Sequence, residues 1–367
     1  MSLFQNLKNP QKKLYRREKE LENLIRALVA DKDRFNCRGL FFFSVFRVVR
    51  LIKKDSRVRI AIVGAGFVGT AFAYSLLIRS LVSEVVLIDA DRDRAEGEAM
   101  DLSHGLPFLE PVAVHVGDYV DCADSDIVVV TAGGARKSMQ SRVDWARENF
   151  AVMSEVTSKV TEYNKKCILL IATSPLDVMT YVALNVSGFS KTKVIGSGTV
   201  LDTARLRFLL GEYLGVDSRN VHSYIIGEHG GNEVPLWSLA NVSGVRLKEY
   251  LRLLNMPYEK GVFDRLFVGV RDAGAEIIRR KGRTNWGIGL TLTRIVESIV
   301  RNENSVLTVS CYLENYHGIG DVCLSVPAIV NRDGVKRIID LPLSKKEEEA
   351  FQKSAEAVKE IIKSLGL

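Results

Sequence analysis

Cysteine is scarce in this chain of 367 residues: there are five (Cys37, Cys122, Cys167, Cys311 and Cys323), an odd number, scattered and without a Cys-x-x-Cys pair. That excludes a disulfide-stapled scaffold and a zinc knuckle, and it makes a reducing compartment the expectation. A long apolar run is also missing. The most hydrophobic stretch, residues 39–52 (GLFFFSVFRVVRLI), is interrupted by Arg47 and Arg50 and is too short to span a bilayer. No small-residue cleavage site follows it, and Glu18, Glu20, Glu22, Asp31 and Asp33 do not suit an acid-poor transit peptide. Repeats and low-complexity tracts are absent, and no set of His, Cys and carboxylates has metal-ligand spacing. The expectation is a cytoplasmic protein with no integral membrane segment and no metal.

A dominant charge of one sign is lacking over most of the chain. The totals of 51 basic and 44 acidic residues, net +7, would invite a nucleic-acid partner. Residues 1–56, however, hold 14 basic and 6 acidic side chains, which leaves 37 against 38 for residues 57–367. The body is therefore neutral, and no nucleic-acid partner is expected. Within the basic head, Leu14, Leu21, Leu24, Ile25 and Leu28 fall at helical spacing in a background of both charges. This reads best as a solvated, loosely attached extension; a surface-binding helix and an unused upstream start are the other readings.

From residue 57 onward there is alternation. Short β-branched runs at 58–63 (VRIAIV), 85–88 (VVLI), 127–130 (IVVV), 168–171 (ILLI) and 194–195 are separated by helical stretches at 69–79, 95–104 and 142–163. That order predicts an α/β fold: a Rossmann doubly wound parallel sheet over 57–197, followed by a mixed α+β substrate domain over 198–367. With 47% hydrophobic residues, the chain is rich enough to build both cores.

Three constellations carry chemistry. The first strand is followed by Gly64-Ala65-Gly66-Phe67-Val68-Gly69, where the glycines allow a tight turn, close approach of a pyrophosphate and close helix packing. Asp89 ends the next strand, 20 residues after Gly69, where a carboxylate accepts hydrogen bonds from ribose hydroxyls and repels a 2′-phosphate, so NAD is expected rather than NADP. Secondly, His229 lies between glycines in Ile226-Gly227-Glu228-His229-Gly230, and Asp202 in GTVLDTAR is a candidate partner. An Asp–His pair fixes the tautomer and raises the proton affinity of the ring, as exchange of a proton with a carbonyl oxygen requires. Thirdly, residues 131–142 (TAGGARKSMQSR) leave the carboxyl end of a strand, where a loop covers a cofactor crevice.

Taken together, GAGFVG, LIDADRDRAEGEAMDLSHG, ARKSMQSR, SPLDVMTY, GSGTVLDTARLRFLLGEYLGV, VHSYIIGEHG, EVPLWS and KGRTNWGIG resemble the L-lactate and malate dehydrogenase family over essentially residues 57–367. The resemblance implies an NAD-dependent L-2-hydroxy acid dehydrogenase in which His229 exchanges the proton, Asp202 orients it, Arg205 grips the substrate carboxylate and Arg142 polarises the ketone. Thr284 matches a residue lining the substrate pocket. Arg136 stands where lactate dehydrogenases usually carry glutamine and malate dehydrogenases arginine, whereas KGRTNWGIG and VPLWS resemble bacterial, fructose-bisphosphate-activated lactate dehydrogenases. In those, Arg207 and His222 match an anion site between subunits. Lactate is the first expectation and malate the second. A homotetramer, a fructose 1,6-bisphosphate effector and, as a further alternative, a catalytically weakened NAD-binding protein complete the set. The chain departs from the family pattern at three places: Ser174 for asparagine before Pro175, Gly231 for aspartate, and Ser138-Met139 for Pro-Gly in the loop.

Overall fold

Runs of β-branched residues form the first strands of the computed structural model, which describes residues 58–134 and 140–367. The basic head and Arg136, Ser138 and Met139 of the loop lie outside the described residues. Strands β1 (Arg59–Val63), β4 (Ile127–Val130) and β5 (Ile168–Ile171) are buried almost end to end, as strands covered by helices on both faces must be. With β2 (Glu84–Ile88), β3 (Ala113–Val116) and β6 (Val194–Gly196) they form a parallel array in the order β3-β2-β1-β4-β5-β6. The chain starts in the middle and winds outward both ways, which opens a crevice between the carboxyl ends of β1 and β4.

Four helices cover this array: α1 (Phe67–Ile78), α2 (Arg92–His104), α3 (Arg142–Tyr163) and α4 (Leu176–Ser187). Asp91 caps α2 and Ser141 caps α3, each side chain accepting from a backbone N–H of the first turn. Gly188 ends α4 at φ 60°, a left-handed position suited to glycine.

Beyond β6 the same sheet continues with antiparallel neighbours: β12 (Ser305–Leu313), β13 (Val322–Asn331), β8 (Ile225–Gly227) and β9 (Glu233–Pro235), with β14 (Gly334–Ile338) on β13. The 197/198 boundary falls between β6 and α5 (Val200–Leu214), and the sheet runs across it. Residues 58–367 form one compact unit. A small second sheet joins β7 (Val221–His222), β10 (Asn241–Val242) and β11 (Val245–Arg246). Against it stands α6 (Leu247–Leu253); α7 (Lys260–Arg271) packs on α5 and α8 (Ala273–Lys281) on α7, while α9 (Trp286–Val300) packs on α1 and α10 (Lys345–Ser364) closes the chain.

Phe72, Met153 and Phe351 are completely buried in one continuous core. Leu210, Leu251 and Phe263 make a second. Cys122, Cys167, Cys311 and Cys323 are free and buried, and burial pushes the first three thiols up to about 12, so they pack as apolar groups. Among the described residues no helix is long and apolar enough to cross a membrane.

Candidate active site

The glycine turn is built by steric exclusion. Gly64 sits at φ +111°, and a Cβ there would lie 2.5 Å from the Ala132 nitrogen. A Cβ on Gly69 would lie 2.0 Å from the Gly64 carbonyl oxygen. Between them, a Cβ on Gly66 meets nothing within 4 Å among the described residues, so the backbone is open on this side to the close approach of a phosphate group. Gly66 also caps α1 without any side-chain hydrogen bond, leaving the positive end of the helix to a ligand. Phe67 is exposed and carries the Arg283 guanidinium 4.0 Å above its ring, while Val68 is half-buried.

Asp89 reaches back from the end of β2 to this turn. One oxygen accepts from the Ala65 N–H at 2.6 Å; the other accepts from the Asp91 N–H at 2.9 Å and from Arg94 at 2.7 Å. Burial opposes its charge, and these donors outweigh burial, so the carboxyl is held below its ordinary value. It is ionised at neutral pH, as ribose recognition requires.

The second cluster lies at the carboxyl end of β8. His229 Nδ1 is 2.6 Å from Asp202 Oδ2, and Arg205 donates to Asp202 Oδ1 at 2.7 Å. Asp202 is 1% exposed, whereas nearly a third of the His229 side chain is open. Burial disfavours the imidazolium, but the charge and hydrogen bond of Asp202 outweigh it, helped by Glu233 and Asp177, and the proton affinity rises to about 9. Asp202 is driven the opposite way: burial raises it, and His229 and Arg205 together hold it below the usual range. Ligand atoms of Asp202, His229 and Glu233 lie within 4.8 Å of one another, a grouping that sequence spacing hid. Both Asp202 oxygens and His229 Nδ1 are already committed to hydrogen bonds, so the donor set is a proton-holding network rather than an ion cage.

Arg142 opens α3 and pairs with the buried Glu228 carboxylate, whose other oxygen accepts from Asn232 at 2.6 Å. Asn149, left without a role by sequence reasoning, is 1% exposed and ties three pieces together. It accepts from Gly134 N at 2.8 Å and donates to Gly134 O at 3.0 Å and to Ser174 O at 2.6 Å. The Ser174-Pro175 bond is cis.

The structure thus brings together Asp202, Arg205, Arg142 and His229, with Glu228 and Glu233 as unforeseen neighbours. Thr284, half-buried between α8 and α9, is tied to this cluster by no hydrogen bond among the described residues. Arg207 and His222 stand apart, on α5 and on the β7 strand that packs against it. His222 is exposed; the buried Arg207 Nε has no hydrogen-bond partner among the described residues. A signal for Glu228 and Glu233 was present only in hindsight, as acids beside the glycines around His229, and Asn149 carried none.

A dinucleotide cradle sharing one sheet with a carboxylate-oriented histidine defines the class, an NAD-dependent oxidoreductase acting on the CH–OH group of a 2-hydroxy acid. More narrowly, the chain belongs to the lactate/malate dehydrogenase family. Residues 58–196 match that family's NAD-binding domain and residues 199–365 its alpha/beta C-terminal domain. The chain is 49% identical over 309 residues to an L-lactate dehydrogenase of Acetivibrio thermocellus, covering 84% of this chain and 98% of that protein. It is 46% identical over 313 residues to one of Gloeobacter violaceus, covering 85% and 95%. Among solved structures, the minor L-lactate dehydrogenase of Enterococcus mundtii in a ligands-bound form superposes with a TM-score of 0.81 at 38% identity, covering 84% of this chain and 98% of that one. MGS-M5, a lactate dehydrogenase from a Medee basin deep-sea metagenome library, gives 0.82 at 39%, covering 85% and 100%.

Proposed function

We propose that the protein is an L-lactate dehydrogenase interconverting pyruvate and L-lactate. The observation that carries the chemistry is the 2.6 Å contact between His229 Nδ1 and a buried Asp202 that also holds Arg205. Bound NAD supplies the hydride chemistry at the substrate's C2. Gly64, Gly66, Phe67, Val68 and Gly69 cradle its pyrophosphate and Asp89 its adenosine ribose. Arg205, with one edge on Asp202, offers its other edge to the substrate carboxylate as a fork. Asp202 keeps the Nδ1–H tautomer, so His229 Nε2 gives its proton to the ketone oxygen during reduction and takes it back during oxidation. Arg142 leaves Glu228 to stabilise the oxygen as negative charge develops. Ser174 supplies a hydroxyl where an amide is usual, and Thr284 lines the pocket.

The names borne by its relatives support pyruvate as substrate. Arg136 supports a second reading, malate dehydrogenase, because its cation would meet the second carboxylate of oxaloacetate. NADH oxidation by the purified chain decides between them: the lactate reading expects a larger kcat/KM for pyruvate, and an oxaloacetate preference overturns it. The same reading extends to a homotetramer in the cytoplasm, with domains at 57–197 and 198–367. Arg207 and His222 would bind fructose 1,6-bisphosphate, which is to be added in parallel assays.

A further inference from the structure

We propose that Asp177 is a positioning residue for this reaction: its buried carboxylate clamps the His229 backbone and so fixes where the imidazole presents Nε2. The inference rests on the reading of His229 as the proton-transfer residue.

Asp177 lies in the first turn of α4 and is 2% exposed. Oδ2 accepts from the His229 backbone N–H at 2.7 Å. Oδ1 accepts from the Ser310 hydroxyl on β12 at 2.7 Å and from the Ser325 hydroxyl on β13 at 3.4 Å. One carboxylate therefore joins α4, two central strands and the turn that carries the histidine. Ser325 pairs in register with Gly227, two residues before His229, so the clamp grips both the turn and the strand leading into it. Asp202 fixes the imidazole through Nδ1; Asp177 fixes the backbone from which the ring hangs. With both ends held, rotation about the side-chain bonds is the only freedom left, and Asp202 removes it.

A purely structural role does not account for an acid here. Burying a carboxylate is costly, and a neutral amide could accept the same backbone hydrogen bond. The groups facing it are His229, Glu228 on the same turn and the inert thiols of Cys311 and Cys323; Asp202 and Glu233 complete the ring of acids around the histidine. The helix N-terminus eases the charge. That charge adds to the pull on the His229 proton, so the acid both places the ring and favours its charged form. Three residues before Asp177, the Ser174 carbonyl accepts from Asn149, which also holds Gly134 beyond the end of β4.

The test uses the full-length chain with NADH and pyruvate. D177A removes the acceptor, whereas D177N keeps an acceptor for the His229 N–H and offers its amide to the Ser310 hydroxyl. The expected result for D177A is a kcat lower by at least about tenfold, with NADH affinity by fluorescence titration and KM for pyruvate within about twofold of the parent. D177N should recover most of kcat, while the alkaline limb of its reduction profile moves to lower pH. If D177A does not fold, the S310A/S325A double variant, which frees Oδ1, should lower kcat with NADH affinity kept. Parental kcat and pH limb in D177A, or in the double variant, would overturn the proposal, as would loss of NADH binding in step with kcat. H229Q run alongside separates the two ideas: if it turns over normally, the reading of His229 fails, whatever Asp177 does.

Discussion

His229 is the residue whose surroundings decide most. Its proton affinity is raised to about 9 because Asp202, aided by Glu233 and Asp177, outweighs burial. If His229 is the proton donor as proposed, pyruvate reduction consumes the protonated form, so kcat/KM should hold steady below that value and fall as pH rises through about 9. Lactate oxidation needs the neutral ring and should climb over the same interval; a pH profile of both directions checks this, and parallel limbs would contradict it. The same shift is also a stability contribution. It is fully present below the unfolded value of 6.5 and is lost as pH rises through about 9. His229 and Asp202 were legible in the sequence because flanking glycines and a GTVLDTAR segment announce them. Asp177, Glu233 and Asn149 were not, because their meaning lies in contacts formed only by folding: Asp177 and His229 stand 52 residues apart.

At the scale of elements, the glycine turn between β1 and α1 has the least freedom. A methyl group on Gly69 would sit 2.0 Å from the Gly64 carbonyl oxygen, which belongs to backbone and cannot step aside. Gly69→Ala should therefore shift the start of α1, weaken NADH binding by at least about tenfold and lower the melting temperature by several degrees. Fluorescence titration with thermal melting measures both, and unchanged binding would refute the cradle. Much of the parallel half was readable: the 127–130 and 168–171 runs became β4 and β5 without shift and 142–163 became α3, whereas β3 and α4 were not anticipated. Strands buried on both faces are continuous apolar runs and announce themselves. The second half was readable only as mixed, because β7 to β11 are two or three residues long and are made by pairing with their neighbours rather than by their own composition.

Over the whole molecule, charge and fold divide at the same place. Residues 57–367 carry 37 basic and 38 acidic side chains, and residues 58–367 form one compact unit. A chain beginning at residue 58 should keep kcat and KM within about twofold of the full chain, since every residue of the catalytic cluster lies within the compact unit; a large loss would assign the basic head a part in catalysis. A neutral body also does nothing to oppose association into the proposed homotetramer. The central claim is that a dinucleotide cradle serves a histidine held by buried acids. Its most direct test is H229Q measured for NADH binding and pyruvate reduction side by side with the parent. The account predicts unchanged NADH affinity and turnover reduced by at least about a hundredfold; turnover near that of the parent would contradict it.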